Sequence, residues 1–209
     1  MLQRNTLTYD IKDKTKYNRH KYENMFSIYL DPSDIHNNST IMYGAIHPQF
    51  QHKPIVYFQN YEKPYNQTAG EYPSDKWKVK VTEIRVGDTK IVDNNRWFSW
   101  WSSQDLKIEF ALFDTGCTFH KAPKAFIDKI IHLAGLKVAY EGETQITECT
   151  AKQYEDLGPL HFHSQGKVIT LAKARWVQFS AEQQACAIMI SPLPEHWNGY
   201  FVLGFNFFK

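Results

Sequence analysis

Short runs of alternating or continuous apolar residues, each closed by turn-forming residues, mark most of this chain as β-strand. Met25 to Leu30 is a strand candidate stopped by Asp31-Pro32-Ser33-Asp34, and Thr40 to Ile46 is a second, with Gly44 inside it. Across the polar loop between them, the two read as a hairpin. Ile55 to Gln59 reads as a third strand, followed by a Pro/Gly/Tyr-rich loop from Pro64 to Pro73. From Trp77 to Val86 the period is two, with Trp77, Val79 and Val81 on one face and Lys78, Lys80 and Thr82 on the other. That is the pattern of a half-buried strand. Gly87-Asp88 turns it into Thr89 to Val92, and Asp93 to Asp105 is a loop carrying Trp97, Phe98, Trp100 and Trp101.

Leu106 to Phe113 is a largely apolar strand that runs straight into Asp114-Thr115-Gly116. The clearest helix follows. Pro123 suits its first position, Phe126, Ile127, Ile130, Ile131 and Leu133 form a stripe at three-to-four spacing, and Gly135 is placed to end it. The remainder returns to strands at Leu160–His163, Lys167–Leu171, Trp176–Phe179, Ala185–Ile190 and Tyr200–Leu203. The expected fold is therefore mostly β, with one well-marked helix and room for a second.

Composition adds limits. The 209 residues suffice for one substantial domain with a buried core, and 43% hydrophobic with 22% charged residues is an ordinary globular balance. A net charge of +2 and the lack of a basic stripe argue against nucleic acid as the partner. No run of about 18 apolar residues occurs to span a membrane. Residues 1–20 form a polar N-terminal segment without the apolar core of a secretory signal. Three glycosylation sequons nevertheless begin at Asn37, Asn38 and Asn66. One way to reconcile the two is that residues are missing upstream. Three cysteines permit one bridge and one leftover thiol.

The chemistry concentrates at Phe110-Ala111-Leu112-Phe113-Asp114-Thr115-Gly116, where a strand delivers a carboxylate into a tight turn. The tripeptide alone also fits a turn with a capping Asp. Its surroundings, however, resemble the pepsin family of aspartic proteases. Ala111 to Pro123 looks like that family's second active-site loop. Met25 to Leu30 with Asp31-Pro32 and Ile41 to Ile46 resembles the strand pair that opens its carboxy-terminal lobe. Trp77 to Ile84 resembles the strand before the second Asp motif, and Tyr200-Phe201-Val202-Leu203-Gly204 the strand that crosses behind the active-site loop. The likeness covers roughly residues 20 to 205.

This resemblance implies a single lobe of a bilobal fold over residues 21–209, with its last strands missing after Gly204. It implies an endopeptidase that hydrolyses polypeptides by a water activated between two aspartates, one of them Asp114. Thr115 matches the threonine that grips the partner lobe, Gly116 the loop glycine, and Leu203 and Gly204 the supporting strand. Cys149 and Cys186 fall near the lobe's disulfide, which would leave Cys117 as the free thiol. Together with the sequons, the bridge suits a secreted, lysosomal or vacuolar protein. No metal or cofactor is expected.

The chain also departs from the pattern. It contains no second Asp-Thr-Gly or Asp-Ser-Gly, so a partner lobe must supply the other aspartate, and the sequence reads as a fragment. A lone carboxylate, ordinarily titrating near pH 4, is a poor base at neutral pH. Cys117 stands where the family has a hydroxyl beside the catalytic carboxylate, and Thr118 is the next candidate to replace it. Phe205, Phe207 and Phe208 are expected on an unpaired sheet edge. A catalytically inactive lobe that binds other molecules is the alternative, and a dimer pairing two Asp114 residues is a third. Cys117 with His120 suggests a thiol nucleophile only weakly, His161 and His163 lack a third metal ligand, and the Trp97–Trp101 cluster suits loop packing or a binding surface.

Overall fold

The computed structural model describes residues 26–30, 39–52, 54–61, 76–94, 106–140, 142 and 144–208. The polar segment 1–20, the sequon asparagines 37, 38 and 66, the 64–73 loop and the tryptophans at 97–101 lie outside the described residues. The chain divides into two units, one reaching Val56 and including Phe208, the other running from Tyr57 to Phe207.

In the first unit, β1 (Phe26–Tyr29) and β2 (Thr40–Tyr43) form the expected antiparallel hairpin, with Ile28 opposite Ile41. β2 stops at Tyr43 rather than Ile46 because Gly44 takes φ 72°, a left-handed conformation that leaves the ladder. Tyr29 stacks on His47 at 4.6 Å and tilts against Phe50 at 5.7 Å.

The described residues of the second unit form three sheets. The first has the order β11–β10–β4–β5, built from β4 (Glu83–Val86), β5 (Thr89–Asp93), β10 (Leu160–Ser164) and β11 (Lys167–Leu171). The second has the order β12–β13–β9–β8, from β8 (Lys137–Tyr140), β9 (Gln145–Glu148), β12 (Val177–Ser180) and β13 (Ala185–Ile188). The third carries the site and runs β14–β7–β15–β6–β3, from β3 (Lys78–Lys80), β6 (Phe110–Phe113), β7 (His120–Ala122), β14 (Ile190–Pro192) and β15 (Tyr200–Leu203). The core of this unit joins Val81, Ile108, Ala111, Phe126, Phe162, Trp176, Phe201 and Leu203, all buried.

Helix α1 (Lys124–Leu133) buries Phe126, Ile127, Ile130 and Ile131, as its stripe predicts. Leu133 is the exception, 53% exposed. Pro123 is the residue just before the helix rather than its first residue, and Gly135 closes the end at φ 61°. The described residues hold two further α-helices, α2 (Ala151–Asp156) and the single turn α3 (Lys173–Trp176).

Several expected strands change. Ile55–Gln59 is irregular. The Gln165 side-chain amide, bonded both ways to the Gln59 backbone at 2.8 Å, takes the place of a strand ladder there. Trp77–Val86 is two strands, because the chain leaves one sheet for another at Val81-Thr82. Val81 N–H bonds Glu109 O, whereas Thr82 N–H bonds His163 O. The expected faces shift as well: Trp77 is 59% exposed and Lys78 only 8%. Lys78 is buried because its ammonium sits within 5.2–5.8 Å of the rings of Tyr61, Phe110 and Tyr200. Only Phe110–Phe113 of the Leu106–Phe113 run is strand, and Ala185–Ile190 is split between β13 and β14. Phe205–Phe207 is a 3₁₀ turn and not a sheet edge, with the Phe207 ring 5.5 Å from that of Phe113.

Candidate active site

β6 carries Asp114 on its end, and the strand is fixed on both sides. β3 pairs with it antiparallel and β15 parallel. Ala111 and Leu112 are buried, so the strand cannot slide without exposing apolar surface. β15 lies between β6 and β7, and the loop joining those two strands, residues 114–119, therefore passes the end of β15.

Three successive residues of that end hold the loop. Leu203 O accepts Asp114 N–H at 3.0 Å, Gly204 N–H donates to His120 Nδ1 at 3.1 Å, and Phe205 N–H donates to Cys117 O at 2.6 Å. The approach is so close that a Cβ on Gly204 would lie 2.3 Å from Phe119 O. Only glycine fits there.

Within the loop, both carboxylate oxygens of Asp114 receive a donor. Gly116 N–H donates to Oδ1 at 2.9 Å, and the Cys117 thiol donates to Oδ2 at 3.2 Å. The thiol thus occupies the place where a hydroxyl was expected, and Thr118 is exposed without a bond to the carboxylate. Partial burial, with the hydrogen bond to Asp114 and its charge, pushes the Cys117 thiol above its ordinary value. It therefore stays protonated and keeps its role as donor. Thr115 is exposed beside Asp114.

His120 does not pair with Cys117. Its ring is fully buried, and Nε2 donates to Arg175 O at 3.2 Å while Nδ1 accepts from Gly204. Both nitrogens are committed to backbone, which leaves none for a thiol. Burial holds its pKa down at about 4.

Asp114 opens into a cavity of about 470 Å³. The cavity also takes in Thr115, Cys117, Lys121, Trp77, Lys76 and Trp197. Neither lysine, nor Trp197, stands out from the sequence as a site residue. The one available signal is alternation, since Lys121 lies between the inward His120 and Ala122.

A family profile described as eukaryotic aspartyl protease matches residues 5–209. The chain belongs to that family. Its activity class is accordingly that of the aspartic endopeptidases, acting on polypeptides. No curated protein matches the chain.

Cys149 and Cys186 form a disulfide with Cα atoms 5.3 Å apart, and Cys117 is the free thiol. His161 and His163 share a face of β10, where His161 contacts Thr170 at 3.1 Å and His163 approaches Glu83 at 3.7 Å. Among the described residues no cluster of three metal-ligating side chains occurs, and no helix is long and apolar enough to cross a membrane.

Proposed function

We propose that Asp114 is one half of an aspartic-endopeptidase dyad whose second aspartate is supplied by another lobe. The observation that carries this reading is the bonding of Asp114. Its two oxygens are oriented by donors of its own loop while the carboxylate faces a cavity large enough for a substrate side chain. A single carboxylate lacks the chemistry. Two at about 3 Å cannot both ionise, so one holds the proton while the other takes a proton from the attacking water, as in pepsin. Only one Asp-Thr-Gly and no Asp-Ser-Gly occur in the 209 residues, so the complement has to come from outside them.

In this reading Thr115, exposed at the loop tip, contacts the second lobe, and Leu203 and Gly204 hold the loop from behind. Cys117 does the orienting work of a hydroxyl, with a weaker donor. The shared proton sets an acidic working range. The disulfide and the sequons at Asn37, Asn38 and Asn66 support passage through an oxidising compartment, on the way to a secreted, lysosomal or vacuolar location.

One observation favours a second reading. With one Asp-Thr-Gly aspartate in the chain, the lobe alone is inactive and would serve as a binding module. Calorimetry with a statine-type peptide inhibitor separates the two, because its central hydroxyl must span both carboxylates. Binding by the native protein, lost in Asp114→Asn, is expected for the dyad. No binding by any native preparation would leave the inactive module.

A further inference from the structure

The cavity beside Asp114 has a charge pattern of its own. Its floor is one row of the sheet, in which Leu112, Val202 and Lys121 are register partners across β6, β15 and β7. Lys121 is half-buried in that row. Among the described residues neither Lys121 nor Lys76 has an ion pair, and Asp114 is the one acidic side chain that lines the cavity. A partly buried ammonium without a counter-ion costs stability unless a ligand compensates it. The second lysine is held in place: Lys76 Nζ lies 3.9 Å from the centre of the Trp197 ring. Trp77 and Trp197 supply apolar walls.

We propose that this cavity is a subsite for an acidic residue of a bound polypeptide. A glutamate or aspartate carboxylate pairs with Lys121 and Lys76, and its aliphatic stem packs between the two tryptophans. Asp114 marks the side on which the peptide backbone passes. The proposal deepens the reading of Asp114 as half of a dyad and rests on it for the direction of the chain. Selectivity follows from a difference in burial cost. A glutamine of the same shape leaves both ammonium groups without a counter-ion, whereas the single charge of a glutamate is shared between half-buried Lys121 and exposed Lys76.

The test uses the full 209-residue chain and blocked octapeptides that differ only in a central Glu or Gln. Tryptophan fluorescence reads binding, since Trp77 and Trp197 line the cavity. At pH 6 and low salt the Glu peptide is expected to bind about tenfold more tightly than the Gln peptide. The preference should vanish at pH 3, where the glutamate is protonated, and in Lys121→Met. Lys76→Gln provides a second, more exposed variant should Lys121→Met fail to fold. Equal binding of the two peptides, no binding of either, or a Glu preference that survives both substitutions overturns the proposal. The endopeptidase reading fails separately. A Glu preference without peptide cleavage by any assembled form would keep the subsite and remove the dyad. Cleavage without preference would do the reverse.

Discussion

Protonation of His120 should weaken the fold between pH 6.5 and 4. The neutral ring is required because Nδ1 accepts the Gly204 N–H at 3.1 Å and Nε2 donates to Arg175 O at 3.2 Å. Adding a proton to Nδ1 would set two donors against each other. Burial lowers the native pKa from 6.5 to about 4, while the bond to Arg175 opposes this only weakly. Above pH 6.5 the ring is neutral in native and unfolded chains alike, and its contribution is intact. As the pH falls the unfolded chain takes up the proton first, so stability is lost progressively and the loss is complete below the native pKa. A gap of about 2.5 pH units at 1.36 kcal/mol each amounts to about 3 kcal/mol. In the same window the native ring stays neutral, which keeps the clasp behind Asp114 closed at mildly acidic pH. Urea unfolding followed by tryptophan fluorescence from pH 7.5 to 4 measures the effect. The difference in stability between wild type and His120→Leu should shrink by about 3 kcal/mol over that range. A difference independent of pH would show that the ring is not held neutral by burial. If the variant does not fold, an NMR titration of the wild-type ring decides, with a midpoint near 4 expected and one above 6 contradicting it.

Other expectations are simpler. Gly204→Ala forces the active-site loop away from Phe119 O and should cost about 3 kcal/mol, with loss of hydrogen-exchange protection at the Asp114 amide. Reducing the Cys149–Cys186 bridge frees a separation of 37 residues and should cost about 4 kcal/mol, read as a lowered urea midpoint. Burial alone would raise the Glu83 carboxyl, but the hydrogen bonds from Arg85 and Lys90 outweigh it and hold it below its ordinary value. Its stabilisation is therefore present above pH 4.5 and lost as the pH falls through the depressed value. Glu83→Gln should lower stability at pH 7, by progressively less as the pH falls through the depressed carboxyl value, measured by the same unfolding assay.

How much of the fold is legible in the sequence depends on how local its determinants are. Helix α1 is legible because its stripe, leading proline and closing glycine all lie between Pro123 and Gly135. The loop at Asp114 is legible because an apolar strand, Asp-Thr-Gly and Pro123 all lie within the short stretch Phe110 to Pro123. Leu133 departs from its stripe because periodicity gives an angular sector and not its depth, and this residue sits at the helix end in solvent. Alternation assigns Lys78 to the exposed face, since nothing in its neighbours along the chain foretells a box of rings from Tyr61, Phe110 and Tyr200. The three-residue strand β7 is too short to show a period, and the strands that pair with it, β14 and β15, lie far along the chain. Helix α2 has a local signal that a search for apolar stripes does not register. Thr150 and Gln153 form a capping box, with Thr150 Oγ1 accepting Gln153 N–H at 3.2 Å and Gln153 Oε1 accepting Thr150 N–H at 2.9 Å. The site's lysines are illegible for the same reason as Lys78. Lys121 reaches the cavity only because β15 brings its own row between β6 and β7.

If Asp114 works only with a second aspartate from another lobe, peptide hydrolysis between pH 3 and 6 will show it. No cleavage of a quenched fluorescent peptide is expected from the 209-residue chain alone. Cleavage should appear when the chain is co-expressed with a lobe bearing a second Asp-Thr-Gly or Asp-Ser-Gly, and disappear in Asp114→Asn. Turnover by the chain alone would contradict a second aspartate supplied by a different lobe, and turnover that survives Asp114→Asn would contradict the dyad itself.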